Sequence, residues 1–153
     1  MNRYVFYNPN PLQKYHKDGT PMRWKYCDCT IRAISKVEKS DWVSVYRMLT
    51  EYGLNHYMMP NDPELLMKIF PEMGYLRHTY KNTERITLKK FAETHKQGSF
   101  VVNMPGHVVA VVNGKYYDTF DSGDFYITSY WKQYWDNEGM NPAHIKPSMY
   151  AGS

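Results

Sequence analysis

Gly106-His107-Val108-Val109-Ala110-Val111-Val112-Asn113-Gly114-Lys115-Tyr116-Tyr117-Asp118-Thr119-Phe120 is the stretch whose reading decides the fold of this chain. Residues 108–112 form a β-branched and small apolar run. Asn113-Gly114 is the strongest two-residue signal for a hairpin turn, and the aromatic-rich 115–120 can return antiparallel. With Asn113 and Gly114 as the loop, Val112 faces Lys115, Val111 faces Tyr116, Val109 faces Asp118 and His107 faces Phe120. Side chains alternate across a sheet, so His107, Val109, Val111, Tyr116, Asp118 and Phe120 share one face. His107 and Asp118 become diagonal neighbours with Cβ atoms roughly 7–8 Å apart, a span that one imidazole–carboxylate hydrogen bond closes. A carboxylate so placed fixes the histidine tautomer, stabilises the imidazolium and leaves the other ring nitrogen free to act on a nucleophile.

Asp28-Cys29-Thr30-Ile31-Arg32-Ala33-Ile34 supplies that nucleophile. Asp28 reads as an N-cap and 29–39 as a helix, with Ile31, Ile34 and Val37 on one face to dock on the sheet. Cys29 then takes the first helical position. The partial positive charge of a helix N-terminus lowers a thiol pKa, an ion pair with histidine lowers it further, and the free amides of the same turn can receive an oxyanion. Taken separately, a cysteine opening a helix is ordinarily a small buried hydrophobe and a strand histidine is ordinarily structural. The coincidence of thiol, imidazole and carboxylate is what points to covalent chemistry.

The order of a cysteine at a helix start, a histidine heading a strand and an aspartate on the next strand resembles the papain-like cysteine peptidase superfamily. Its compact bacterial and phage branches are the most similar. The long interval from Cys29 to His107 looks like the bacteriocin-processing peptidases more than the shorter-spaced cell-wall hydrolases. Asp-Cys-x-x-Arg-Ala-Ile, Gly-His-Val-Val-Ala-Val-Val and Tyr-Asp-Thr-Phe-Asp-Ser-Gly are also similar to uncharacterised phage-encoded papain-like proteins, over about residues 1–131. The resemblance implies a catalytic triad with Cys29 as nucleophile, His107 as general base and Asp118 as orienting residue, in a groove between a helical half and a sheet. It also implies a glutamine six positions before the cysteine to complete the oxyanion hole. Here that position is Arg23. Trp24, Lys25 or a residue elsewhere in space is left for that role, or the Cys29 amide acts with only one partner, and Arg23, Trp24 and Asp121 are taken as the substrate-binding candidates.

Composition agrees with a small enzyme. The 153 residues suffice for one domain with a real core, and 42% hydrophobic and 16% aromatic content exclude a disordered chain. A single domain is expected over 1–136, with 137–153, rich in Pro, Gly, Ser and Asn, as a loose tail. No apolar run approaches the ~20 residues that span a bilayer, and the start Met-Asn-Arg-Tyr-Val-Phe-Tyr has no signal-peptide h-region. A cytoplasmic location is expected, with no membrane partner, and a monomer. Cys27 and Cys29 are too close for an ordinary disulfide, which suits a reducing compartment. The net charge of +4 is mild and scattered, so no nucleic-acid partner is expected.

Along the chain, 4–7 reads as extended and 8–20 as a loop. A helix starts near Ser40 or Asp41 and ends before Gly53, with Trp42, Val45, Tyr46 and Leu49 on its core face. Asp62-Pro63 opens a third helix that Pro71 ends, 75–80 is extended, and Thr87 caps a fourth helix through Lys96. Residues 100–104 form a strand, 125–128 a further short strand, and 130–135 a short aromatic helix or partner-binding patch. Helices followed by an antiparallel sheet make an α+β, papain-like fold.

Two thiols without a second Cys pair or His-x-His fall short of a zinc pattern, and no cofactor is expected. Cys27 is open as a resolving thiol for an oxidised Cys29. His16, His56, His78, His95 and His144 read as solvated. Asp121 is a reserve orienting acid, although parity turns it away from His107. The expected activity is that of a thiol hydrolase, a cysteine peptidase acting on a peptide or isopeptide bond in a protein or peptide substrate. Deamidation or acyl transfer on the same triad, and a non-catalytic papain-like protein-binding module, are the alternatives.

Overall fold

The computed structural model describes residues 2–22 and 27–134. In chain order it contains β1 (Tyr4–Phe6), α1 (Cys29–Val37), α2 (Trp42–His56), α3 (Pro63–Glu72), β2 (Tyr75–Thr79), a short 3-10 turn (Asn82–Glu84), α4 (Leu88–Thr94), β3 (Ser99–Met104), β4 (His107–Val112), β5 (Lys115–Asp118) and β6 (Ser129–Gln133). The fold is α+β.

The hairpin has the register that the sequence dictates. Val112 pairs with Lys115 and Val111 with Tyr116, while Asn113 and Gly114 take φ values of 50° and 80°, the doubly left-handed turn that matches strand twist. Three helices open on the residues that read as caps. Asp41 accepts from the Ser44 amide, Asp62 from the Glu64 amide and Thr87 from the Lys90 amide.

The strands form one six-stranded sheet in the order β1-β5-β4-β3-β6-β2. Helices α1, α2 and α3 cover one face, where Ile34, Leu49, Ile69 and Phe70 pack with Val101, Ala110 and Trp131. Helix α4 covers the other, with Leu88 and Phe91 against Val102, Val109 and Val111. Ile31, Ile34 and Val37 are buried in the first layer, so α1 docks through the face its periodicity selects.

Several local expectations are corrected. The sheet is mixed rather than antiparallel and C-terminal. β1 runs parallel to β5 with Tyr4 opposite Tyr116, and the helical region between them serves as the long crossover that a parallel pair requires. The 130–135 segment is β6, not a helix. Ser129, Trp131 and Gln133 are buried while Tyr130 and Lys132 are half-exposed, the period of a strand, and it lies between β3 and β2. Residues 125–128 are not a strand; they carry an isolated bridge from Tyr126 to Thr87 and single backbone hydrogen bonds to Ile86, Leu88, Tyr80 and Asn103.

Helix α2 continues through Gly53. A Cβ there would lie 2.4 Å from the Met58 carbonyl oxygen, so the glycine admits the returning chain instead of stopping the helix. Tyr46 is exposed and stacks on Trp42, while Met48 and Tyr52 take the core positions. α3 includes Pro71, because the closing turn is satisfied by the Met73 and Gly74 amides donating back to Ile69, Phe70 and Pro71 carbonyls. The 137–153 segment lies outside the described residues. Among the described residues no helix is long and apolar enough to cross a membrane.

Candidate active site

The site forms where three element ends meet. Cys29 is the first residue of α1, His107 the first of β4 and Asp118 the last of β5. His107 Nε2–H donates to Asp118 Oδ2 at 2.6 Å. The Cys29 thiol lies beside the His107 ring and interacts with it, and with Nε2 held by Asp118 the nitrogen left to face the thiol is Nδ1. Phe120 flanks the imidazole with ring centroids 5.1 Å apart.

Asp118 is almost wholly enclosed. Its Oδ1 accepts from the Thr119 amide at 2.8 Å and from Arg32 Nη2 at 3.4 Å, and its Oδ2 also accepts from Ser122 Oγ at 2.6 Å. Four donors around one carboxylate fix its direction.

The electrostatics follow from these contacts. Burial raises the Cys29 thiol, but the hydrogen bond to His107, the charge of that ring, the Val108 amide and the Arg32 charge together hold it below its ordinary value. Burial pulls the His107 imidazolium down, but hydrogen bonds to Asp118 and Cys29, with their charges, push it up from 6.5 to about 9. Opposite shifts on two touching groups favour a thiolate–imidazolium pair, the nucleophilic form of such a site.

Asp28 occupies the N-cap position of α1 but makes no side-chain bond to the helix amides. Its carboxylate accepts from Arg32 Nη1, from Trp42 Nε1 at 3.0 Å and from Asn10 Nδ2 at 3.2 Å. A charge-assisted bond to a guanidinium outweighs a cap bond to a neutral amide, so the expected cap becomes an ion partner. The amides that open α1 are thereby left without that carboxylate.

A cleft of about 540 Å³ opens over Cys29 and His107, walled by Leu66 and Met67 of α3 and by Met104 and Trp131 of the sheet. Cys27, exposed, lies on its rim with Glu64 and Arg77. Asp121 is not a lining residue. It accepts from Tyr116 Oη at 2.5 Å and from the Gly123 amide at 3.0 Å, which holds the turn after β5 and keeps it from replacing Asp118. Arg23, Trp24 and Lys25 lie outside the described residues.

Not all the other histidines are simply solvated. His56 Nδ1 lies 2.8 Å from the Tyr52 carbonyl with its ring stacked on Tyr52, and His95 repeats the arrangement on Phe91 at 2.9 Å. His78 stacks on Tyr130, and His144 is outside the described residues. Among the described residues no three His, Cys, Asp or Glu side chains are grouped to hold a metal ion.

Arg32 and Ser122 were not legible as site residues. The Asp28–Arg32 spacing of four is a helical ion-pair signal, but it indicates a pair on one helix and not a contact with Asp118. Nothing local marks Ser122, which reaches Asp118 only through the turn after β5. Comparison of the chain with protein-family models, with curated proteins and with solved structures found no match.

Proposed function

We propose that this protein is a thiol hydrolase that cleaves a peptide or isopeptide bond through Cys29, His107 and Asp118, on a papain-like arrangement of a cysteine-bearing helix against a histidine-bearing sheet. The observation that carries the reading is the line of interactions from the Cys29 thiol, which lies beside the His107 ring, through the 2.6 Å hydrogen bond from that ring to the enclosed Asp118, with Cys29 and His107 both lining the cleft. A buried structural cysteine has no need of such a line.

In this mechanism Cys29 Sγ attacks the carbonyl carbon and the developing oxyanion lies by the first amides of α1. The C–N bond breaks as His107 gives its proton to the leaving amine, leaving a thioester. Water then gives a proton to His107 and its oxygen attacks the thioester carbon, releasing the carboxylic acid and restoring the thiolate. Asp118 holds the ring in one orientation and its carboxylate faces each imidazolium stage.

The test is labelling by iodoacetamide together with hydrolysis of a mixed fluorogenic peptide pool, in the parent, Cys29→Ala and His107→Ala. Loss of hydrolysis in both variants, with melting temperatures close to the parent, is the expected result. Hydrolysis that persists in Cys29→Ala overturns the proposal.

A further inference from the structure

Resting on the thiol-hydrolase reading, we propose that Arg32 is a positioning residue of this site, whose buried fork ties Asp28 to Asp118 and thereby sets Cys29 against His107. Three observations carry it. Arg32 is 5% exposed and stands one helical turn after Cys29 on α1, so it moves with the nucleophile. Its two terminal nitrogens are divided between carboxylates from different parts of the fold, Nη1 on Asp28 and Nη2 on Asp118. Asp28 is itself anchored by Trp42 of α2 and by Asn10 of the N-terminal segment, so one guanidinium links α1, α2, that segment and the end of β5.

Stability alone does not account for this string. A buried ion cluster is commonly replaced by apolar side chains of equal volume at no net loss, because desolvating the charges offsets their attraction. Charge balance at the nucleophile does account for it. With Cys29 as thiolate, three anions (Cys29, Asp28 and Asp118) face two cations, Arg32 and His107; Glu64 and Arg77 are the further charges along the cleft. Without Arg32, His107 alone would answer three negative charges in an enclosed space, and the thiol would hold its proton. A planar fork suits two carboxylates at once in a way that the point charge of a lysine does not.

The experiment follows Cys29 alkylation by iodoacetamide from about pH 4 to 10 in a Cys27→Ser background, so that a single thiol reports. Arg32→Met, Arg32→Lys and His107→Ala are compared with that background, with melting curves for each. Arg32→Met is expected to move the reactivity inflection up by about one pH unit, which is about tenfold slower alkylation at pH values well below the inflection, with Arg32→Lys between it and the background. A folded Arg32→Met with the background's profile overturns the role. Should Arg32→Met not fold, Arg32→Lys decides: a raised inflection supports the fork, and an unmoved one overturns it. A background profile that shows an ordinary thiol, indifferent to His107→Ala, overturns the hydrolase reading and the role of Arg32 with it. A His107-dependent thiolate that ignores Arg32 overturns only the latter.

Discussion

His107 Nε2 and Asp118 Oδ2 stand 2.6 Å apart across a two-residue turn, one at the first position of β4 and the other at the last of β5. The pairing is a product of hairpin register. A slip of one residue would send one of the two side chains to the opposite face of the sheet and separate them.

Asp118→Asn tests what that contact does to the imidazole. The His107 pKa, pushed up to about 9 despite burial, loses the charge that raises it and keeps the burial that lowers it. Its value should therefore fall toward or below 6.5, read by NMR titration of the ring. Iodoacetamide labelling of Cys29 at neutral pH should fall with it. A His107 titration that stays near 9 would show that Cys29, rather than Asp118, sets the ring's charge.

Glu38 makes a second pH-dependent prediction, away from the site. Wholly enclosed at the end of α1, it accepts from Gln133 Nε2 at 2.9 Å and from Tyr75, and burial pushes it up from 4.5 to about 7. The folded pKa exceeds the unfolded one, so its contribution is fully present below 4.5 and is lost as pH rises through about 7. Glu38→Gln should remove that loss and flatten urea-unfolding stability between the two values. A parent curve already flat over this interval would refute the assignment.

Gly53→Ala sets helix propensity against sterics. Alanine gains about 1 kcal/mol over glycine inside an exposed helix, but here its Cβ would lie 2.4 Å from the Met58 carbonyl oxygen and 3.2 Å from Leu65. The main-chain contact should win. Net destabilisation of about 2–4 kcal/mol is expected, seen as a drop of several degrees in melting temperature. A stabilised variant would show that the α2–α3 connection yields easily.

Ile34→Ala tests the docking of the helix that opens at Cys29. Ile34 is fully buried beneath α1 in the layer that holds Val101 and Ala110, and its truncation should cost about 2–5 kcal/mol through lost burial and a residual cavity. Denaturant unfolding measures it, and a loss below about 1 kcal/mol would mean that the helix settles to fill the space.

What the sequence determined by itself is what neighbouring residues decide among themselves. Asn113-Gly114 set the turn, and with it the register that brings His107 to Asp118. Asp41, Asp62 and Thr87 started their helices because a short polar side chain satisfies amides within its own first turn. Cys29 opened α1, with Ile31, Ile34 and Val37 inward, because helical period is a local property.

Tertiary structure decided what depends on distant partners. The Tyr130-Trp131 segment has no telling period of its own and became β6 because β3 and β2 offer backbone groups on both sides. β1 turned parallel because β5 presents an open edge to it. Asp28 left its capping role because Arg32, Trp42 and Asn10 converge on it, and Ser122 joined Asp118 through a turn that no short-range signal describes. A buried carboxylate takes whichever donors the packed chain brings closest, and that choice is made only when remote segments meet.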